Sequence, residues 1–337
     1  MDGVATARPV LAAPDSFKGT LSAVQVAEAL GRGLEGAGWR CDRCPAADGG
    51  DGTLEVLLHA LGGELVEADV HDPLGRPIRS AFALIEGGQR AVVEMARASG
   101  LALVAEAERD AEAASTAGTG ELIAAAARSG ASEVLVGVGG SATTDGGAGA
   151  IAAIRAAGGL HGARLVVLCD VRTPFERAAE VFGPQKGADP QAVRRLSRRL
   201  QRQARELPRD PRGRAMTGCA GGLSGGLWAA FAARLAPGAA FVLDAVDFDA
   251  RARGASAVVT GEGRLDIQSL EGKAVGEIAT RCRQRGIPCH AVVGGSTLDR
   301  FGQRLLDLQT VDLAGTPADI EAAGLRLGER LTTERGR

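Results

Sequence analysis

The stretch from Val134 to Ala150, VLVGVGGSATTDGGAGA, is an apolar run that ends abruptly in glycine, small hydroxyl residues and a carboxylate. Gly137, Gly139 and Gly140 let the backbone approach a ligand closely and take positive φ, while Ser141, Thr143 and Thr144 offer hydroxyls and Asp145 a carboxylate. Donors of these types beyond a strand form a phosphate-sized cradle, so anion recognition is the expected chemistry. A tight strand-to-helix turn with no ligand would use the same glycines. Gly137, Gly139 and Ala142 also fit the GxGxxA dinucleotide pattern, and Asp170 closes the next apolar run, so an NAD-dependent oxidoreductase stands as an alternative. Against it, glycines continue through Gly146, Gly147 and Gly149, where a dinucleotide-binding helix should already pack.

Other stretches repeat the association of glycine with charge. All but three of the 39 basic residues are arginine, and the three lysines, Lys18, Lys186 and Lys273, each adjoin a glycine. A compact ammonium on a flexible stem suits a single phosphate or carboxylate oxygen, which makes all three site candidates. Asp48 and Asp51 lie in ADGGDGT, a pairing that suggests Mg²⁺; Asp51 also suits a helix N-cap, whereas Asp48 has no such local role. Glu262, Arg264 and Asp266 alternate, so an extended segment would point all three the same way. The glycine-rich Gly218–Gly226, with Gly221 and Gly222, opens an apolar helix expected over Leu227–Leu235, either as a second anion site or for close helix packing.

Regular elements must hold these groups. Val10–Ala13 reads as a buried strand ending in Asp15, Ser16 and Lys18, followed by a helix whose capping box is Ser22 with Gln25. Arg40–Cys44 reads as a second strand leading to Asp48. From Asp72 the texture changes: Ile78–Ile85, Gly87-Gly88 and Arg90–Met95 form a hairpin pattern. Thr116 or Thr119 caps the helix Gly120–Arg128, which delivers the glycine-rich loop. Leu165–Cys169, Ala255–Thr260 and Cys289–Val293 read as further strands, and the last helix is capped by Thr316 and begun by Pro317.

Composition narrows the function. At 337 residues the chain has room for two domains, and its net charge of −2 gives no global field for nucleic acid or an anionic membrane. The most basic segment, Pro190–Leu207, carries an apolar stripe and reads as a solvated helix face. No apolar run is long enough to span a bilayer and the N-terminal residues lack a secretory pattern, so the expectation is a cytoplasmic protein acting on a small molecule. Cys41 and Cys44 have metal-like spacing, but no second pair completes four ligands.

Five stretches carry a resemblance: APDSFKGTLSA (Ala13–Ala23), ADGGDGT (Ala47–Thr53), GVGGSATTDGGAGA (Gly137–Ala150), FGPQKGA (Phe182–Ala188) and TGEGRLDIQSLEGK (Thr260–Lys273). Their order and spacing resemble the type 1 glycerate kinase family along nearly the whole chain. The resemblance implies ATP-dependent phosphorylation of D-glycerate, on the 2-hydroxyl in preference to the 3-hydroxyl, by an α/β protein with its active-site cleft between two domains. The expected organisation is a discontinuous Rossmann-like parallel-sheet domain, residues 1–72 and 236–337, with a mixed α/β domain, 73–235, inserted. No Walker A sequence occurs, so the phosphate cradle must be built from the glycine-rich turns. A homodimer remains open.

On this reading Gly139, Gly140, Ser141 and Thr143, with Gly221 and Gly222, hold nucleotide phosphates, and Lys186 neutralises transition-state charge. Lys18 and Arg264, with Ser16, bind glycerate. Residue chemistry alone makes Asp266 the base and Asp48 with Asp170 the Mg²⁺ shell, roles that can be exchanged among the carboxylates. Three features depart from the family pattern: a short Gly158–Leu165 connection, Thr173 in place of the usual asparagine, and AVGEIA after Lys273, one residue shorter and without the usual proline. They keep an inactive ligand-binding homologue as a further alternative.

Overall fold

The computed structural model describes residues 8–270 and 272–335. Among them eleven strands run in chain order: β1 (Val10–Pro14), β2 (Cys41–Arg43), β3 (Gly63–His71), β4 (Pro77–Ile85), β5 (Arg90–Glu94), β6 (Glu133–Gly137), β7 (Arg164–Cys169), β8 (Arg234–Pro237), β9 (Ala257–Glu262), β10 (Cys289–Val293) and β11 (Leu308–Leu313). The fold is α/β, with one parallel and one mixed sheet. The chain divides into two compact units, one up to Asp48 and again from Val242, the other Gly49–Phe241. The first boundary therefore falls well before residue 72. Its physical reason is β3, which pairs antiparallel with β4 along its whole length and so carries the preceding segment into the second unit. This strand lies at a sheet edge with most of its residues exposed, so it lacks the apolar run that marks a buried strand.

In the first unit the sheet order is β11-β10-β9-β1-β2, all parallel. β1 and β9 are wholly buried, as strands covered by helices on both faces must be. The helix Ala23–Gly36 begins as expected: Ser22 Oγ accepts from Gln25 N at 3.3 Å, and Gln25 Oε1 accepts from Ser22 N at 3.0 Å. Its stripe of Val26, Leu30 and Leu34 packs with Ile320, Ala323 and Leu327 of the helix Pro317–Arg335. Each of the valine, leucine and isoleucine side chains contributes about 1.5–3 kcal/mol on burial. The two helices approach backbone to backbone: a Cβ on Gly33 would lie 2.0 Å from Glu321 O.

The second unit's sheet order is β3-β4-β5-β6-β7-β8, antiparallel through β5 and parallel from β5 to β8. Its core includes Val134, Val136 and Val167 from the sheet with Leu122, Ile123, Ile154, Leu223 and Leu227 from helices. Two expectations need correction. The helix placed at Leu227–Leu235 spans Leu223–Phe231, started by Gly222 (φ +93°) and stopped by Ala232 (φ +57°), and Arg234–Pro237 is β8. The helix Ala117–Arg128 starts before Gly120, and neither threonine caps it with its side chain. Thr116 Oγ1 instead donates to Asp145 Oδ2 at 2.8 Å and accepts from Ala150 N. The helix Pro190–Glu206 is amphipathic as read, with Leu196, Leu200 and Ala204 buried.

Gly33→Ala forces the two helices of the first unit apart. A destabilisation of about 1–3 kcal/mol, read as a lower urea midpoint with an unchanged denaturant slope, is expected; an unchanged midpoint contradicts the close approach.

Candidate active site

The parallel sheet of the first unit ends in a hollow of about 360 Å³ at the carboxyl ends of its strands. Asp15, Ser16 and Lys18 follow β1, Asp48 follows β2, and Glu262, Arg264 and Asp266 lie at and beyond the end of β9. β1 and β9 are neighbours from which the chain winds away in opposite directions, the switch point at which open α/β sheets bind ligands. The alternation of Glu262, Arg264 and Asp266 does bring all three to this hollow, while Leu265 between them is fully buried. Lys273, N-cap of the helix Ala274–Arg285, completes the lining with its Nζ 4.0 Å from Asp266 Oδ1.

The hollow has a cationic side and a buried acidic floor. Lys18, half exposed, places its Nζ 3.7 Å from Oδ2 of the buried Asp48. Asp15 is buried and accepts from Ser16 N at 2.6 Å; burial, with the Asp48 charge beside it, raises its carboxyl well above the usual range. Burial likewise pushes Glu262 up to about 6, although Ser269 Oγ donates to its carboxylate. Ser16 Oγ is buried without a hydrogen-bond partner among the described residues. A small polar molecule with hydroxyls and a carboxylate matches this lining: its charge faces lysine and arginine, and its hydroxyls have carboxylates and Ser16 to bond.

The second unit has its own hollow, about 260 Å³, at the carboxyl ends of β6 and β7. Gly139, Gly140, Ser141, Asp170 and Gln185 line it, with Leu101, Val138, Val171 and Phe182 as apolar walls. The loop is held on both sides: Val138 N donates to Gly49 O at 3.0 Å, and Leu101 N donates to Gly140 O at 2.8 Å. A Cβ on Gly139 would stand 2.4 Å from Gly50 Cα, so the glycines of ADGGDGT serve this close approach. Behind the loop Asp145 is buried and accepts from Thr116 N, Thr116 Oγ1, Gly147 N and Gly149 N at 2.8–3.1 Å. The helix Ala148–Ala156 starts well after β6 ends at Gly137, so the GxGxxA match does not set a helix N-terminus where a dinucleotide pyrophosphate would need it.

The structure thus gathers Ser16, Lys18, Asp48, Arg264 and Asp266 in one hollow and Gly139, Gly140, Ser141 and Asp170 in the other. Lys186 does not line the second hollow. It is buried, its Nζ donates to Ser141 Oγ at 2.7 Å and to Thr143 O at 2.5 Å, and burial lowers it to about 7 against the pull of Asp145 and Asp170. Thr143 is buried behind the loop, its Oγ1 without a partner among the described residues. Gly221 and Gly222 do not line the hollow either: a Cβ on Gly221 would lie 2.0 Å from Thr143 O, so close packing accounts for that glycine, and Ala220 reaches the lining. Asp51 leaves the capping of the helix Thr53–Leu61 to Glu94, whose Oε1 accepts from Leu54 N at 2.8 Å. Asp48 and Asp170 belong to different units, and among the described residues no three His, Cys, Asp or Glu side chains converge as metal ligands. Asp15 and Glu262 had no role assigned from sequence: Glu262 was placed only by its alternation with Arg264 and Asp266, and Asp15 only by its position at the end of a buried strand.

Comparison with known proteins agrees with this architecture. A model of the glycerate kinase family matches residues 10–158 and 154–323. Glycerate kinase of Bacillus subtilis (strain 168) is 38% identical over 332 residues, covering 86% of each chain. Glycerate 2-kinase of Escherichia coli (strain K12) is 34% identical over 327 residues, covering 86% of each chain. A crystal structure of a candidate glycerate kinase 2 from Salmonella typhimurium LT2 superposes with a TM-score of 0.83 at 32% identity, covering 98% of this chain and 100% of that one. The two hollows and these matches define a small-molecule kinase. The chain belongs to the glycerate kinase family.

The buried floor carries a stability cost that follows pH. Glu262 titrates near 6 in the folded chain against an ordinary 4.5, so the folded state binds this proton more tightly, and stability falls as pH rises from the lower value through the upper. Glu262→Gln keeps an acceptor for Ser269 and removes the charge. Relative to wild type, the variant should gain about 2 kcal/mol between about pH 4 and about pH 8, measured by urea unfolding at both; a gap independent of pH would refute it.

Proposed function

We propose that the protein transfers the terminal phosphoryl group of ATP to the 2-hydroxyl of D-glycerate. The acidic, cation-rimmed hollow at the switch point of the parallel sheet carries the reading, because its lining suits a small hydroxy acid rather than a ring or a chain. Lys18, Arg264 and Lys273 bind the acid's carboxylate, and Ser16 and the buried carboxylates orient its hydroxyls. Asp266 takes the proton as the acceptor O–H breaks, the new O–P bond forms, and the bond from the phosphorus to the bridging oxygen of ADP breaks. The 2-hydroxyl follows the name of the Escherichia coli relative.

The nucleotide phosphates lie against Gly139, Gly140 and Ser141. The donors around that hollow suit Mg²⁺: Asp170 would supply one oxygen ligand, and a Mg²⁺ held on substrate phosphates usually takes one or two carboxylates plus waters, so it needs no three-carboxylate cluster. When bound it supplies charge neutralisation to the transferring group. Asp48, beside Lys18 in the other hollow, is assigned to the acceptor rather than to the metal.

Coupled ADP release with MgATP and D-glycerate should show turnover, with L-glycerate and other small hydroxy acids slower and phosphorus NMR identifying 2-phosphoglycerate. Asp266→Asn should lower kcat by about 10²–10⁴ with the fold intact by circular dichroism. Wild-type kcat in that variant removes Asp266 as base, and ligand binding without turnover on any acceptor replaces the kinase with a binding homologue.

A further inference from the structure

An ammonium has three donors and no acceptor, and this fixes the direction of hydrogen bonds around Lys186. Its Nζ donates to Ser141 Oγ and to Thr143 O, so the Ser141 oxygen accepts there and its own O–H must donate elsewhere. Ser141 is partly exposed and lines the glycine hollow beside Gly139, Gly140 and Asp170. Lys186 itself is buried, lying beside Arg109 and Asp110 in a tightly packed pocket with no room for a ligand. Burial lowers it to about 7, and Asp145 and Asp170 work against that by favouring its charged form.

We propose that Lys186 is a positioning residue that acts through Ser141, holding the serine hydroxyl as a hydrogen-bond donor into the hollow, toward a phosphate oxygen of the nucleotide. The inference rests on the reading of this hollow as the phosphate site. It departs from a lysine that meets the transferring phosphoryl directly. The second bond, to Thr143 O, holds Nζ in place, so that it is the Ser141 oxygen that accepts and the Ser141 O–H that is left to donate.

A double-mutant cycle tests it. Ser141→Ala, Lys186→Met and the double variant are titrated with MgADP and MgATP by calorimetry, with the KM for D-glycerate as a control. Each single change should weaken nucleotide binding about tenfold, the double change no more than Ser141→Ala alone, and the glycerate KM should stay within about twofold. Additive losses, or a loss from Lys186→Met that persists in the Ser141→Ala background, overturn the proposal. If Lys186→Met does not fold, the serine variants still test the donation from Ser141 to the nucleotide that the proposal requires. Ser141→Thr should keep the affinity within a few-fold while Ser141→Ala loses it, and Ser141→Ala with wild-type affinity overturns the proposal. Wild-type protein that binds neither nucleotide overturns the phosphate-site reading and this inference with it, whereas additive losses in a nucleotide-binding wild type remove the inference alone.

Discussion

The second unit depends on a carboxylate that never reaches its hollow. Asp145 is buried and accepts from Thr116 N, Thr116 Oγ1, Gly147 N and Gly149 N, while Thr116 Oγ1 in turn accepts from Ala150 N. One side chain thereby ties the start of the helix Ala117–Arg128 to the start of the helix Ala148–Ala156 and fixes the glycine-rich loop between β6 and the latter. A buried carboxylate depends on such donors, and removing any of them would leave it short of a partner it cannot replace from solvent. Its charge also favours the ammonium of Lys186, which holds the same loop through Ser141 and Thr143. The loop is shaped from behind by two buried ionisable side chains, each with its own partners, and presents its glycine backbone and one hydroxyl in front.

The first unit makes the opposite trade. Asp15, Asp48 and Glu262 are buried on the floor of a hollow where burial disfavours the charge of Asp15 and Glu262. A sheet built for stability alone would carry apolar side chains at these strand ends. Carboxylates kept there at a cost, beside Lys18 and Lys273 and a Ser16 hydroxyl with no partner among the described residues, fit a site whose missing interactions come from a ligand.

Much of this was legible in the chain. The capping box of Ser22 and Gln25 and the strands at Val10, Leu165 and Cys289 follow from local periodicity and local hydrogen bonds, and the structure shows them where the pattern put them. The alternation of Glu262, Arg264 and Asp266 is a local property of extended backbone, and it placed three lining residues correctly. β3 escaped because an edge strand with one solvated face resembles a polar loop. Lys186 was recognised as important, but its direction was not readable, since its partners Ser141 and Thr143 lie more than forty residues earlier in the chain.

By itself the sequence determined many of the strands and helices, which stretches carry chemistry, and which family the motifs resemble, because each is encoded in residue types a few positions apart. Tertiary structure alone decided which glycines face a hollow and which admit another backbone. Gly139 and Gly140 line the hollow, Gly139 also admitting Gly50, whereas Gly221 faces no hollow and makes room for Thr143 O, although both runs look alike on paper. It also decided that Glu94 rather than Asp51 caps the helix Thr53–Leu61, and that Thr116 serves Asp145 instead of its own helix. The physical reason is common to these cases: a glycine, a hydroxyl or a carboxylate has several satisfactory partners within reach of its type, and only the packing of segments distant in sequence selects among them.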